Sequence, residues 1–246
     1  MLLKLKLKNN PSRNADKRMS ELDTYLQATP LMDADHPEIV AYAKTITQGS
    51  VSDQQRAIRI YYAIRDNWRY NPYHISLNAE ALQASHILRK RDGHCLDKAI
   101  LMIACLRAVG IPARLCLAKV RNHIAVERIE EAFGTDELVP HGFVDVYLNS
   151  RWVKATPAFN RQLCEKLNVA PLDWDGATDS MFQEHDREGG TFMEYLEHYG
   201  HFPGVPAARI RELLVAHYPA VFAGREGSVL TKADFFTQPG EVADQN

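Results

Sequence analysis

The run from Cys95 to Val109, CLDKAILMIACLRAV, constrains this chain more than any other stretch. Charges interrupt it only at Asp97, Lys98 and Arg107, so nearly every side of the helix it predicts is apolar. Such a helix has to be surrounded by protein. Gly110 stops it, with Pro112 two residues on, a combination that ends helices by a left-handed cap and a missing N–H. The flanking elements must therefore wrap around Cys95–Val109 as a central helix.

Those elements can be read in order. Residues 9–18 are polar, and the first packed element begins near His36-Pro37, where proline suits a first helical turn. Ile39, Val40, Ala43 and Ile46 follow at helical spacing. Ser52 is a good N-cap for a second helix, whose stripe is Ala57, Ile58, Tyr61, Ile64 and Trp68, and Asn71-Pro72 ends it. A short helical stretch runs from Ala79 to Arg89, before the polar break at residues 90–94. Residues 113–120, ARLCLAKV, fit a strand, and 121–139 read as a charged connection. From His141 to Thr156 the pattern is a hairpin: HGFVDVYL, a turn at Asn149-Ser150, then RWVKAT. Beyond Pro157 come a helix around Arg161–Leu167, a turn-rich acidic stretch at 173–190, an aromatic segment at 192–202, and an amphipathic helix opened by Pro206 that carries Ile210, Leu213 and Leu214.

Charge and length exclude several classes of partner. The 29 basic and 31 acidic residues nearly balance and are interspersed, so nothing marks a nucleic-acid or anionic-membrane surface. The opening MLLKLKLK alternates apolar and basic residues, unlike a secretory signal, and reads as an edge strand, a loose arm, or an upstream start ahead of Met19. No run approaches the roughly 20 apolar residues of a membrane span. A soluble, cytoplasmic protein is expected. Cysteines 95, 105, 116 and 164 contain no C-x-x-C pair, so each is judged alone.

Cys95 follows Asp92-Gly93-His94 at the start of the central helix, where unpaired N–H groups and the helix dipole favour a thiolate. Its blander alternative is a buried structural cysteine. Cys105 and Cys116 read as core, and Cys164 as a surface thiol among charged residues. His141 opens a strongly alternating strand, a rigid mount for an imidazole. His94, next in sequence to the thiol, is the competing base, but consecutive residues at a helix start point apart. The backbone amide of Cys95 is a natural oxyanion donor, and Trp68 and Tyr70 are candidates to line the site.

In this order, Gly93-His-Cys95-Leu-Asp-Lys-Ala99, Leu106-Arg-Ala-Val-Gly-Ile-Pro-Ala-Arg114, His141-Gly-Phe-Val-Asp-Val-Tyr-Leu148 and Trp152-Val-Lys resemble the core of the transglutaminase-like superfamily, across roughly residues 85–157. The resemblance implies an α+β, papain-like cysteine proteinase fold, with the Cys-bearing central helix packed against an antiparallel sheet that carries the His. It implies Cys95 as nucleophile and His141 as general base. The family usually places aspartate just before proline on the second hairpin strand; here Thr156 stands there, before Pro157.

With a two-residue turn, Phe143 lies opposite Thr156, which makes Thr156 a same-face diagonal neighbour of His141 at roughly 7 Å. A threonine hydroxyl can fix the imidazole's tautomer but stabilises an imidazolium less than a carboxylate does. Asn160, Asp175 and Asp179 are the alternatives. Asp145 lies about 13 Å along the strand from His141 and is expected to pair with Lys154.

The function implied is acyl transfer from an amide or peptide carbonyl through a Cys95 thioester, with hydrolysis by a peptidase or amidase favoured over transfer to an amine as in transglutaminases. A transglutaminase-like binding domain with weak or absent catalysis is the alternative. A zinc site from His94, Cys95, His123 and His141 lacks the paired spacing of such sites. No cofactor and no metal is called for; the expected partner is a protein, peptide or small amide substrate, with no nucleic acid or membrane. The expected organisation is an arm at 1–35, a core at 36–204 elaborated after 157 by residues that cover the cleft or set substrate choice, and a helix and tail at 205–246 packed on the same domain.

Overall fold

The computed structural model describes residues 22–124, 126–182 and 184–222. The alternating segment at 1–8 and the tail expected from about 224 lie outside the described residues. Two capped helices come first. In α1 (Pro37–Thr47) Nδ1 of His36 accepts from the Glu38 amide, with proline opening the helix. In α2 (Asp53–Asn67) Oγ of Ser52 accepts from the Gln55 amide, and Ala57, Ile60, Tyr61 and Ile64 are buried. The chain continues through β1 (Arg69–Tyr70), a single 3-10 turn at Ala79–Leu82, α3 (Ala84–Leu88) and β2 (Asp92–Gly93). β1 and β2 pair in parallel, setting Tyr70 beside Gly93.

α4 (Cys95–Ala108) is the central helix, buried from Leu96 to Arg107. Even its basic residues are enclosed. Lys98 donates to the carbonyls of Arg65, Trp68 and Ala158, tying the end of α2 to the chain after the hairpin. Arg107 donates to the carbonyls of Gln27, Ala113 and Pro203. Residues 22–35, assigned on sequence to a terminal arm, contribute to this packing: Met32 is fully buried, and the Ala113 amide donates to the Tyr25 carbonyl.

β3 (Ala113–Asn122), α5 (Val126–Phe133), β4 (Glu137–Leu148) and β5 (Arg151–Ala155) follow. After α6 (Arg161–Lys166), β6 (Met193–Phe202) completes an antiparallel four-stranded sheet in the order β5-β4-β3-β6. α7 (Ala207–His217) and α8 (Pro219–Phe222) close the described chain. The expected α+β arrangement, a Cys-bearing helix against an antiparallel sheet, is present.

Three local expectations are corrected. The 121–139 connection contains α5, because Ile129, Ala132 and Phe133 recur at helical spacing and are buried. β4 begins at Glu137, so His141 sits within the strand; ion pairs from Glu137 to Lys119 and Arg121 extend the ladder. The aromatic segment is strand β6, whose alternation is hidden by two register shifts and by its exposure at the sheet edge.

Candidate active site

Strand alternation sorts β4 into two faces. Val144 and Val146 belong to the large apolar core with α4, while Phe143 packs with Cys116 and Ala118 on the other side. Gly142 faces α4 so closely that a Cβ there would lie 2.7 Å from Leu96 Cδ2 and 3.1 Å from Leu96 Cα. His141 therefore points to the face turned away from α4, where its ring meets Phe182 at 4.2 Å and Phe143 at 6.1 Å between centroids.

Cys95 and His141 are nevertheless brought to one place. β5 pairs with β4 only as far as Ala155 opposite Val144, and Pro157, with no N–H to offer a ladder, follows two residues on. The outer edge of β4 at Pro140–Gly142 is thus left open. Cys95 occupies it: Sγ lies 4.0 Å from the Pro140 carbonyl and receives the Gly142 amide, the two groups that flank His141 in the chain. No hydrogen bond joins Sγ to either nitrogen of the ring, but Cys95 borders the aromatic cluster of Phe182 and Tyr195 that packs on the ring.

The resting electrostatics are those of a neutral pair. Burial pushes the Cys95 thiol up to about 11, against the lowering effect of the Gly142 and Leu96 amides. Burial alone takes His141 down to about 3. The helix start does not yield the thiolate expected from sequence, because burial outweighs the amides that would favour it. Nδ1 of His94 accepts from Leu96 N at 3.1 Å and Asp97 N at 3.4 Å, capping α4. This also removes His94 as a competing base.

The alternative third members are occupied elsewhere. Asn160 Oδ1 accepts from the Tyr70 amide, Asp179 from the Lys154 amide, and Asp175 from the amides of Ala177 and Thr178. Asp145 pairs with Lys154, as expected, and more closely with Arg114. Thr156 is buried on the face of His141, one register step beyond Ala155, and its hydroxyl has no hydrogen-bond partner. His123 faces Glu194, and among the described residues no cluster of three His, Cys, Asp or Glu side chains is placed to hold a metal.

A narrow pocket opens on Cys95, with about 50 Å³ of room, bounded by Tyr70, Phe133, Val139, Ile210, Leu214 and Tyr218. A wider groove of about 610 Å³ lies on the other side of Tyr70 and Leu138. Tyr70 lines both, whereas Trp68 is core, its Nε1 donating to the Ile87 carbonyl. Cys164 is fully buried, not the surface thiol expected; its helix is short, and the sulfur turns inward to Phe159 and Val169.

Residues 40–157 match the model of the transglutaminase-like superfamily. Through this segment, just under half of its length, the chain is similar to that superfamily. No curated protein matches the chain. Similar solved structures include a candidate cysteine protease from Cytophaga hutchinsonii, at TM-score 0.44 and 16% identity, covering 80% of this chain and 58% of that one. A candidate protease from Parabacteroides distasonis has TM-score 0.37 and 20% identity, over 56% of this chain and 25% of that one. The arylamine N-acetyltransferase from Mycobacterium abscessus has TM-score 0.38 and 14% identity, over 63% and 50%. The transglutaminase-like segment ends at Pro157, so Ile210, Leu214 and Tyr218, which sequence reasoning did not assign to the site, come from outside it. The one signal for them was the amphipathic helix opened by Pro206, which carries Ile210 and Leu214.

Proposed function

We propose that the protein is a thiol acyl-transfer enzyme, with Cys95 as nucleophile, His141 as general base and Thr156 behind the imidazole. The observation that carries this reading is the seat of Cys95: a half-buried sulfur, first in its helix, held at the open strand edge between the backbone groups that flank His141. His141 takes the thiol proton as Sγ bonds to the substrate carbonyl, and the imidazolium returns that proton to the departing amine as the C–N bond breaks. The Cys95 amide is placed to receive the developing oxyanion, since His94 caps the next two amides and not this one.

Water is the proposed acceptor for the thioester, making the enzyme a hydrolase of amide or peptide bonds. The pocket at Cys95 is small and almost wholly apolar, which favours a compact apolar acyl group, with the rest of the substrate in the wider groove. One observation favours the alternative of a weakly catalytic binding domain: the resting thiol and imidazole are both neutral. A substrate that excludes water and supplies new hydrogen bonds must shift that balance.

The test is to incubate the full chain with small apolar p-nitrophenyl esters and anilides, following nitrophenol or nitroaniline release and the mass of the protein. The expected result is a burst with an acyl adduct on Cys95, absent in Cys95→Ala and slowed at least about 10³-fold in His141→Leu. Turnover in buffer alone supports hydrolysis, and turnover only with added amine supports transfer. Absence of any Cys95 adduct sinks the enzymatic reading.

A further inference from the structure

Behind His141 three polar atoms are shut away from solvent without a hydrogen-bond partner: Nε2 of His141, Oγ1 of Thr156 and the hydroxyl of Tyr195. Their elements place them together. Thr156 continues β5 on the face that carries His141 and Phe143, since Ala155 pairs with Val144. On the other flank Ala118 of β3 pairs with His141, and β6 runs beside β3. Alanine leaves the space over β3 free, so the long side chain of Tyr195 reaches across it, and its ring stands 5.9 Å from those of both His141 and Phe143. The Tyr195 and Thr156 hydroxyls interact, though without full hydrogen-bond geometry. Phe182 lies over the group, packed on the His141 ring.

Natural structures rarely leave one buried polar atom unpaired, and three together call for a common explanation. A single buried water commonly makes about three hydrogen bonds to such atoms. We infer that Tyr195 is a positioning residue, its hydroxyl and that of Thr156 holding Nε2 of His141 through one shared buried water. With Nε2 carrying a proton donated into this group, Nδ1 is fixed as the unprotonated nitrogen, the form a base needs. When the imidazole takes the Cys95 proton, the Nε2–H stays where it is and no proton leaves the group. Neutral oxygens steady the imidazolium less than a carboxylate would, which fits a ring that burial holds neutral.

The titratable group packed on the ring is Tyr195 from β6; Cys116 from β3 packs with Phe143, His198 from β6 with Phe143 and Tyr195, and Cys95 from α4 acts on Tyr195. Asp145, farther along β4, is taken up by Arg114 and Lys154. The inference rests on the acyl-transfer reading for its catalytic meaning but not for its structural content, and the two are tested apart.

The experiment uses the full chain, with Tyr195→Phe and Thr156→Val. Nitrogen NMR of the His141 ring reports its tautomer and titration, and iodoacetamide labelling of Cys95 against pH reports its reactivity. Tyr195→Phe keeps the ring packing and should fold as the parent does. The expected result is a His141 ring with mixed tautomers, and Cys95 labelling about three- to tenfold slower across the pH range, the scale of one net hydrogen bond. Thr156→Asp in the Tyr195→Phe background should restore the Nε2–H tautomer and raise the imidazole's titration point. An unchanged tautomer and pH profile in both Tyr195→Phe and Thr156→Val overturns the inference. If labelling is indifferent to His141→Leu, the acyl-transfer reading fails, while the tautomer of the parent protein still decides the role of Tyr195.

Discussion

Lys98 and His141 are both almost fully buried basic side chains, one on the central helix and the other on the strand beside it. Lys98 has a carbonyl for each of its three donors. His141 has no hydrogen bond to Nε2 and no charged neighbour that alters its titration. Burial lowers both, Lys98 to about 7 and His141 to about 3, yet only Lys98 gains bonds in return. A saturated buried cation is what a fold uses to join its parts. A buried imidazole with no protein partner at Nε2 joins nothing, and this marks a site kept for something other than stability.

The sharpest way to break that comparison is to remove each side chain in turn. Lys98→Met strands three buried carbonyls and should lower unfolding free energy by about 3 kcal/mol or more. His141→Leu removes no hydrogen bond to another protein group and keeps an apolar side chain among aromatic neighbours, so stability should stay within about 1 kcal/mol of the parent, or rise. Urea unfolding of both variants checks this, and equal losses would erase the distinction.

A pH series sharpens it. An unfolded histidine titrates near 6.5, so as pH falls through that value the unfolded chain takes up a proton that the folded one refuses until about 3. Stability from His141 is therefore intact above about pH 6.5 and is lost as pH falls toward 3. His141→Leu should lack this component of acid destabilisation. An identical acid slope in parent and variant would mean that the ring is solvated in solution.

How far these differences could be read beforehand depended on the range of the interaction. The helix from Cys95, the proline start at His36-Pro37, the cap at Ser52 and the Asn149-Ser150 turn are local, each written in a few adjacent residues. Both turn residues adopt positive φ, 49° and 66°, as a two-residue hairpin requires. The position of Thr156 beside His141 followed from that turn by counting along the ladder. Lys98 was legible only as a charge on an apolar helix, because its acceptors come from three separated segments. Tyr195 was not legible as a partner of His141: it arrives on an edge strand with two register shifts, through a sheet order that no short pattern encodes. The face of His141 was not legible either, because alternation tells which residues share a side, not which side meets the helix.

Gly142 lies where the saturated and unsaturated faces divide, and it offers the next test in size. Gly142→Ala would place a methyl group within 2.7 Å of Leu96 Cδ2 and 3.1 Å of its Cα, so β4 must move away from the start of α4. A loss of about 1–3 kcal/mol is expected from overpacking. The same shift draws Pro140 and Gly142 from Cys95, so acyl-enzyme formation should fall more than stability alone accounts for. Full activity at reduced stability would show that the seat of the sulfur is not critical.

The smallest effect separates two tyrosines that repeat the contrast in neutral form. The Tyr218 hydroxyl accepts from the Val139 amide at 2.6 Å and donates to the Glu137 carbonyl at 2.9 Å, fastening β4 just before the site. The Tyr195 hydroxyl has no such bonds. Tyr218→Phe leaves a buried amide unpaired and should cost about 1–2 kcal/mol in urea unfolding. Because that bond acts two residues from His141 and not on its ring, the tautomer seen by nitrogen NMR should stay as in the parent. Tyr195→Phe should give the opposite pattern, with unfolding nearly unchanged and the tautomer altered. If the two variants behave alike in both measurements, bonding of the hydroxyl does not separate structure from function here, and the contrast between Lys98 and His141 reduces to one of charge.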